Sequence, residues 1–193
     1  MPTLEIPELP PPAVVALDPT TTAVLVLDIS DASTKQVPAC LASAPAVRKL
    51  LDAARAAGAR VVFSLGRAAE QQVFADLAPR DDEAVVRSSA DKYFGTDLEA
   101  RLAGISTVVV TGTAANGAVI YTSFGACARG LTVVVAEDGI SSRAPLATWL
   151  ARYQLLNQPG FANATNTALA PKAVTLSRTD LISFENASAR SSH

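Results

Sequence analysis

The chain holds one histidine in 193 residues, and it is the last, His193. A Ser-His-Asp or Cys-His nucleophilic arrangement is thereby effectively excluded, and so is a histidine-ligated zinc site. Cysteine is equally scarce. Cys40 and Cys127 stand far apart and form neither a disulfide framework nor a metal knuckle. Acid–base work therefore falls to carboxylates, lysine or tyrosine. Charge of one sign is also lacking: the net charge is −2 and the pI about 5.4. There is no basic stripe of the kind nucleic acid requires, so no nucleic-acid partner is expected. No apolar run reaches the roughly 18 residues that would span a bilayer, so no membrane partner is expected. The opening stretch "MPTLEIPELPPPAVVALDP" has no basic region followed by an apolar one and does not read as a secretory signal. The cytoplasm is the expected compartment. The prolines of residues 1–20 predict an extended arm.

What is present is apolar and alternating. With 49% hydrophobic residues, the chain has enough for one substantial core, and residues 1–193 read as one domain. "TAVLVLDIS" (22–30) has the near-continuous aliphatic character of a strand covered on both faces. Further strands are predicted over 59–65, 106–112, 131–138 and 173–177, with 84–87 a short strand or loop edge. Helices are predicted over 44–58, 97–104, 115–129 and 144–156. Thr96 reads as an N-cap, with Glu99 completing a capping box. Residues 66–83 and 157–172 read as surface loops, with lining a pocket or burial against a second subunit as the alternative. Strands alternating with helices imply βαβ units and a mostly parallel sheet.

Few residues can carry chemistry. Asp28 ends the first buried strand, at the edge where α/β proteins bind ligands. Partial desolvation there would raise its pKa and make it a usable acid or base, although a plain strand-end aspartate is an equal reading. Lys92, in "SSADKYFGTDL", would on its own be an exposed lysine. The turn "TGTAAN" places backbone N–H groups ahead of a helix, where they can meet an anion or a developing oxyanion. Phe94, Asn116 and Tyr121 are candidate pocket walls, and Arg67 could pair with a substrate carboxylate. Cys127 lies about half a helical turn out of phase with residue 118 and some 13 Å beyond it. It reads as a packing thiol.

Together these stretches resemble the isochorismatase-like hydrolases, also called the cysteine hydrolase superfamily. The resemblance runs from "LDPTTTAVLVLDIS" through "DKYFGTDLEARLAGISTVVVTGTAANGAVIYTSFGACARGLTVVVAEDGISS". It implies a three-layer, Rossmann-like α/β fold, with about six mostly parallel strands, helices on both faces and assembly into dimers or larger oligomers. It makes Asp28 the catalytic aspartate and Lys92 the catalytic lysine. It places a non-proline cis peptide at Thr113–Ala114, with the amides of Ala114 to Ala118, Gly117 among them, forming an oxyanion site. Ala118 falls where the amidase members carry their nucleophilic cysteine. Ser30 stands where many members have glutamine.

An alanine at 118 removes the covalent thioester route. The resemblance then implies the chemistry of the isochorismatases proper, which also have a small residue there. They protonate a vinyl ether carbon from the aspartate and let water finish the reaction. The expectation is a cysteine-independent hydrolase or lyase of a small organic acid. It has a small-molecule substrate, no cofactor and no metal. A non-catalytic metabolite- or partner-binding member, or an amidase whose cysteine was exchanged for alanine, are the alternatives.

Overall fold

Six apolar or β-branched residues in sequence leave no face to give to water, and Thr22–Leu27 is buried along its whole length. Among the described residues it is the second of eight strands: β1 (Val15–Leu17), β2 (Thr22–Leu27), β3 (Arg60–Leu65), β4 (Ala84–Arg87), β5 (Thr107–Thr113), β6 (Thr132–Ser141), β7 (Val174–Ser177) and β8 (Ile182–Phe184). The computed structural model describes residues 6–186. Six strands form one sheet in the order β4-β3-β2-β5-β6-β7, every neighbouring pair parallel. The helices are α1 (Asp31–Gln36), α2 (Pro38–Ala57), α3 (Leu98–Arg101), α4 (Ile120–Ala128) and α5 (Pro145–Asn157). Among the described residues no helix is long and apolar enough to cross a membrane.

The pleat of each strand divides the core in two. Val24, Val26, Val109 and Val134 pack with Val47, Leu50 and Leu51 of α2. Their neighbours Leu25, Val108, Val110 and Val135 pack on the other face with Ala126 of α4 and Leu155 of α5. The predicted three layers are present.

Several boundaries differ from those predicted. The helix predicted from 44 begins at Pro38 and takes Pro45 into its interior. Its buried stripe, Cys40, Ser43, Ala44, Val47, Leu50, Leu51 and Ala54, runs unbroken at helical spacing. Packing along that stripe outweighs the one backbone bond a proline removes. The expected helix over 115–129 opens instead with a π-helical turn, Ala115–Val119, and α4 begins at Ile120. Thr96 does not complete a capping box. Its hydroxyl donates to the Lys92 carbonyl and accepts from the Leu98 N–H, while Glu99 pairs with Arg129. The extended arm is not free. Ala13 N–H donates to the Leu176 carbonyl, Ser177 Oγ donates to the Ala13 carbonyl, and β1 pairs with β8. The loop at 157–172 supports the arm, because buried Asn166 donates to the carbonyls of Pro11 and Leu176. Residues 1–5 of the predicted arm lie outside the described residues.

One glycine fixes the sheet where the chemistry is expected. Gly112 pairs with Leu27 at a φ of +132°, and a Cβ there would lie 2.1 Å from the Leu27 carbonyl oxygen. That neighbour is backbone in a central strand and cannot move aside. Gly112→Ala is expected to cost about 3 kcal/mol or more. In a chain of this size that is a fall in melting temperature of roughly 6–12 °C. Calorimetry checks it, and an unchanged melting temperature would contradict the close approach.

Candidate active site

β2 ends at Leu27 because Asp28 leaves the strand conformation. Its φ is +56°, a left-handed value that aspartate tolerates better than most side chains. Such a conformation persists where surrounding contacts hold it, and two are present: Asp28 N–H donates to the Ser64 carbonyl, and Ser33 Oγ donates to the Asp28 carbonyl. The turn brings the carboxylate to the carboxyl edge of the sheet. There it lines a cleft of about 470 Å³ with Ser30, Ser33, Gln36, Gln71, Asn116 and Arg143 among its other walls.

Lys92 reaches the same carboxylate from 64 residues away. Its Nζ lies 2.8 Å from Asp28 Oδ2, with the lysine side chain 1% exposed and the aspartate 26%. Lys92 Nζ also donates to the Ser88 carbonyl. The loop carrying it is docked on α4. Lys92 N–H donates to Thr122 Oγ1, and Gly125 leaves room for Tyr93, whose ring would sit 3.1 Å from a Cβ there. Arg129 lies over that ring at 4.2 Å. Burial pushes the Asp28 carboxyl above its ordinary value, against the opposing pull of the Lys92 charge and the Lys92 and Ser64 hydrogen bonds. The two groups singled out from sequence are therefore one buried pair.

The Thr113–Ala114 peptide is cis, as the resemblance implies. Ala114 and Asn116 line the cleft, and the Ala114 carbonyl accepts from Gly117 and Val119 N–H. The first N–H groups of such a turn precede any carbonyl they could reach within it. Ala118 is 4% exposed and belongs to the apolar core. It does not line the cleft, and neither do the buried thiols Cys40 and Cys127. Desolvation pushes the Cys127 thiol up to about 12.

Four expected site residues lie elsewhere. Phe94 is 66% exposed. The turn closed by Phe94 N–H on the Asp91 carbonyl buries Lys92 and Tyr93 and turns Phe94 outward. Tyr121, five residues beyond Asn116, is rotated by about 140° on a regular helix. It lines an adjoining apolar depression with Phe124, Leu150, Tyr153 and Phe161, which shares only Asn116 with the cleft among the described residues. Gly117 is half-buried, outside the cleft lining. Arg67 is exposed and does not line the cleft. The arginine that does is Arg143, which sequence reasoning missed because the strand predicted to stop at 138 continues to Ser141. After a bulge β6 pairs again with β5, Ile140 beside Gly112 and Ser141 beside Thr113. That second pairing delivers Ser142 and Arg143 to the cleft. The alternation around Gly139, which abuts Thr111 and Val47, was the available signal. Gln71 was missed as part of a surface loop. Arg87 ties that loop down by donating to the carbonyls of Ala68 and Gln71.

The profile of the isochorismatase domain family matches residues 22–168. N-carbamoylsarcosine amidase of an Arthrobacter species is 31% identical over 96 residues, 48% of this chain and 36% of that protein. The matched stretch therefore spans little more than a third of that relative's length. Among solved structures, a cysteine hydrolase from Pseudomonas syringae pv. phaseolicola superposes with a TM-score of 0.71 at 21% identity, covering 92% of this chain and 95% of that one. N-carbamoylsarcosine amidase from Thermoplasma acidophilum superposes with a TM-score of 0.68 at 20% identity, covering 83% and 97%. At these identities the two structures bear on the fold alone.

The unequal burial of the pair makes its two ends unequal in cost. Asp28→Asn leaves Lys92 without a counter-charge where no water reaches, and is expected to lose about 3–5 kcal/mol. Lys92→Met leaves a carboxylate that still faces the cleft, and should lose less, roughly 1–2 kcal/mol. Urea unfolding at pH 7 measures both. The reverse order would contradict the placement of Lys92.

Proposed function

Because the chain belongs to the isochorismatase domain family, we propose that it is a hydrolase or lyase of a small organic acid, working without a thiol and with Asp28 as its general acid and base. The observation that carries this reading is the Asp28–Lys92 pair in a cleft with no activated nucleophile. Each hydroxyl lining the cleft is already engaged. Ser33 Oγ donates to the Asp28 carbonyl, Ser30 Oγ to Ser33 Oγ, Thr113 Oγ1 to the Ser141 carbonyl and Ser142 Oγ to Asn116 Oδ1. None donates to the Asp28 carboxylate. The hydroxyl that does, Ser64 Oγ at 3.4 Å, is buried and outside the cleft lining.

For a vinyl ether the steps balance as follows. The Asp28 carboxyl gives its proton to the terminal alkene carbon, and positive charge develops on the carbon bearing the ether oxygen. Water attacks that carbon and returns a proton to Asp28. The hemiketal then breaks its C–O bond as its hydroxyl proton passes to the departing oxygen, releasing an alcohol and a ketone. A carboxyl raised by burial keeps its proton further toward neutrality. The Lys92 charge then receives the carboxylate formed on donation. On this reading the backbone amides of Ala114 and Asn116, which line the cleft, steady negative charge on the substrate's oxygens.

An assembly of two or more copies fits the exposed Tyr121, Leu146, Leu150 and Tyr153 of α4 and α5, since an apolar face of that extent is unusual on a monomer. Light scattering at micromolar concentration reads it directly.

A panel of vinyl ethers and small amides, each bearing a carboxylate, tests the chemistry. Turnover of a vinyl ether is expected, reduced by about 10²–10⁴ in Asp28→Asn. For the acid step, kcat/KM should fall as pH rises through a midpoint above 3.8. Ala118→Cys should release no ammonia from the amides, because a thiol at that core position stays protonated. Ammonia release on adding the thiol would contradict the thiol-independent reading. Binding without Asp28-dependent turnover would favour a non-catalytic role.

A further inference from the structure

We propose that the mouth of the cleft holds a subsite for a single carboxylate, formed by the guanidinium of Arg143 and the side-chain amides of Gln36 and Asn116. This rests on the proposed function and names the group by which its substrate is held.

Three observations lead to it. Arg143 is exposed in the cleft wall, and among the described residues its side chain donates to a neutral acceptor, Gln36 Oε1 at 3.1 Å. Among the described residues it has no carboxylate partner, a condition it shares with Arg60, Arg67, Arg80 and Arg87, and of these five it alone lines the cleft. Second, the two amides are oriented by their oxygens. Gln36 Oε1 is taken by Arg143, and Asn116 Oδ1 accepts from Ser142 Oγ at 2.8 Å. Gln36 Nε2 and Asn116 Nδ2 then remain as donors, and no acceptor meets either among the described residues. A wall of donors calls for a ligand rich in acceptors.

Third, the charges of the site sum to one. Among the described residues Asp28 and Arg143 are the only charged ones lining the cleft, and Lys92 stands against Asp28 at 2.8 Å. With Asp28 ionised that pair is balanced, and Arg143 leaves a single positive charge. A monocarboxylate matches it, and the planar fork of a guanidinium suits a carboxylate's two oxygens. A dicarboxylate would bring a second negative charge with no partner. The residues come from three separate parts of the chain: Gln36 from the end of α1, Asn116 from the π-helical turn and Arg143 from beyond the bulge in β6. The bulge brings them together, because the renewed pairing of Thr113 with Ser141 sets Ser142 against Asn116.

The experiment is calorimetric titration with acetate, pyruvate and benzoate, alongside the neutral benzamide and the dianionic phthalate. The proteins are the wild type, Arg143→Gln, Arg67→Gln and Asp28→Asn. At least one monocarboxylate is expected to bind the wild type with a roughly millimolar Kd, weakening with added salt. Arg143→Gln should weaken it about tenfold or more. Arg67→Gln, altered outside the cleft, should leave it unchanged. Benzamide should bind at least tenfold more weakly than benzoate, and phthalate no better than benzoate. Far-ultraviolet circular dichroism confirms that each variant is folded. The subsite is overturned if none of the three monocarboxylates binds the wild type at concentrations up to tens of millimolar, or if Arg143→Gln binds them as well as the wild type. It is also overturned if benzamide equals benzoate. Carboxylate binding that persists in Asp28→Asn without any turnover in the wild type would sink the proposed function and leave the subsite standing. Asp28-dependent turnover with carboxylate affinity unchanged by Arg143→Gln would do the opposite.

Discussion

A lysine sealed from water needs a carboxylate, and much of the site is arranged around giving Lys92 the one at Asp28. The aspartate comes from the end of a central strand, turned out of the strand by a left-handed backbone. The lysine comes from a loop that has no regular structure of its own and lies on α4 at Thr122 and Gly125. A bulky side chain at 125 would lift the loop, and a side chain at 112 would force apart the strands beneath it. The pair is thus as much a consequence of two glycines as of its own charges. Its energy has two large opposing parts, desolvation and attraction. For Asp28 the desolvation prevails, because its raised carboxyl is a cost of burial that the lysine only partly offsets.

The same arrangement explains how a cleft without a thiol can remain chemical on the proposed reading. Where a nucleophile would stand, Ala118 is part of the apolar packing under the π-helical turn. The hydroxyls around the cleft serve as local ties, four of them spent on holding Asp28, Asn116 and the ends of β5 and β6. What is left free is a carboxyl raised by burial and a wall of side-chain donors.

How much of this is legible in the sequence depends on how local each feature is. The buried strands, the parallel sheet and the helices were readable from apolar periodicity, because each is fixed within ten or so residues. Asp28 was readable for the same reason, as a charge at the end of an aliphatic run. Lys92 was readable only through the resemblance, since nothing near it in sequence indicates that it is buried. The amphipathic stripe of α2 was read only from residue 44, although Cys40 and Ser43 continue it toward Pro38 at helical spacing. Phe94 and Tyr121 were placed in the pocket on chemical type, and a turn and a helical rotation put them elsewhere. Arg67 and Arg143 show the limit most clearly. Both follow a strand, but the strand before Arg143 carries a bulge that renews its pairing, and that depends on a neighbour more than twenty residues away.

The account stands most directly on the state of one carboxyl. Labelling the aspartate side chains with carbon-13 and following the Asp28 carboxyl resonance against pH, in wild type and in Lys92→Met, measures it. The account requires a midpoint above the ordinary value of 3.8 in the wild type. It also requires a further rise in Lys92→Met, where the opposing positive charge is gone and desolvation acts alone. A wild-type midpoint at or below 3.8, or one that Lys92→Met leaves in place, would contradict it.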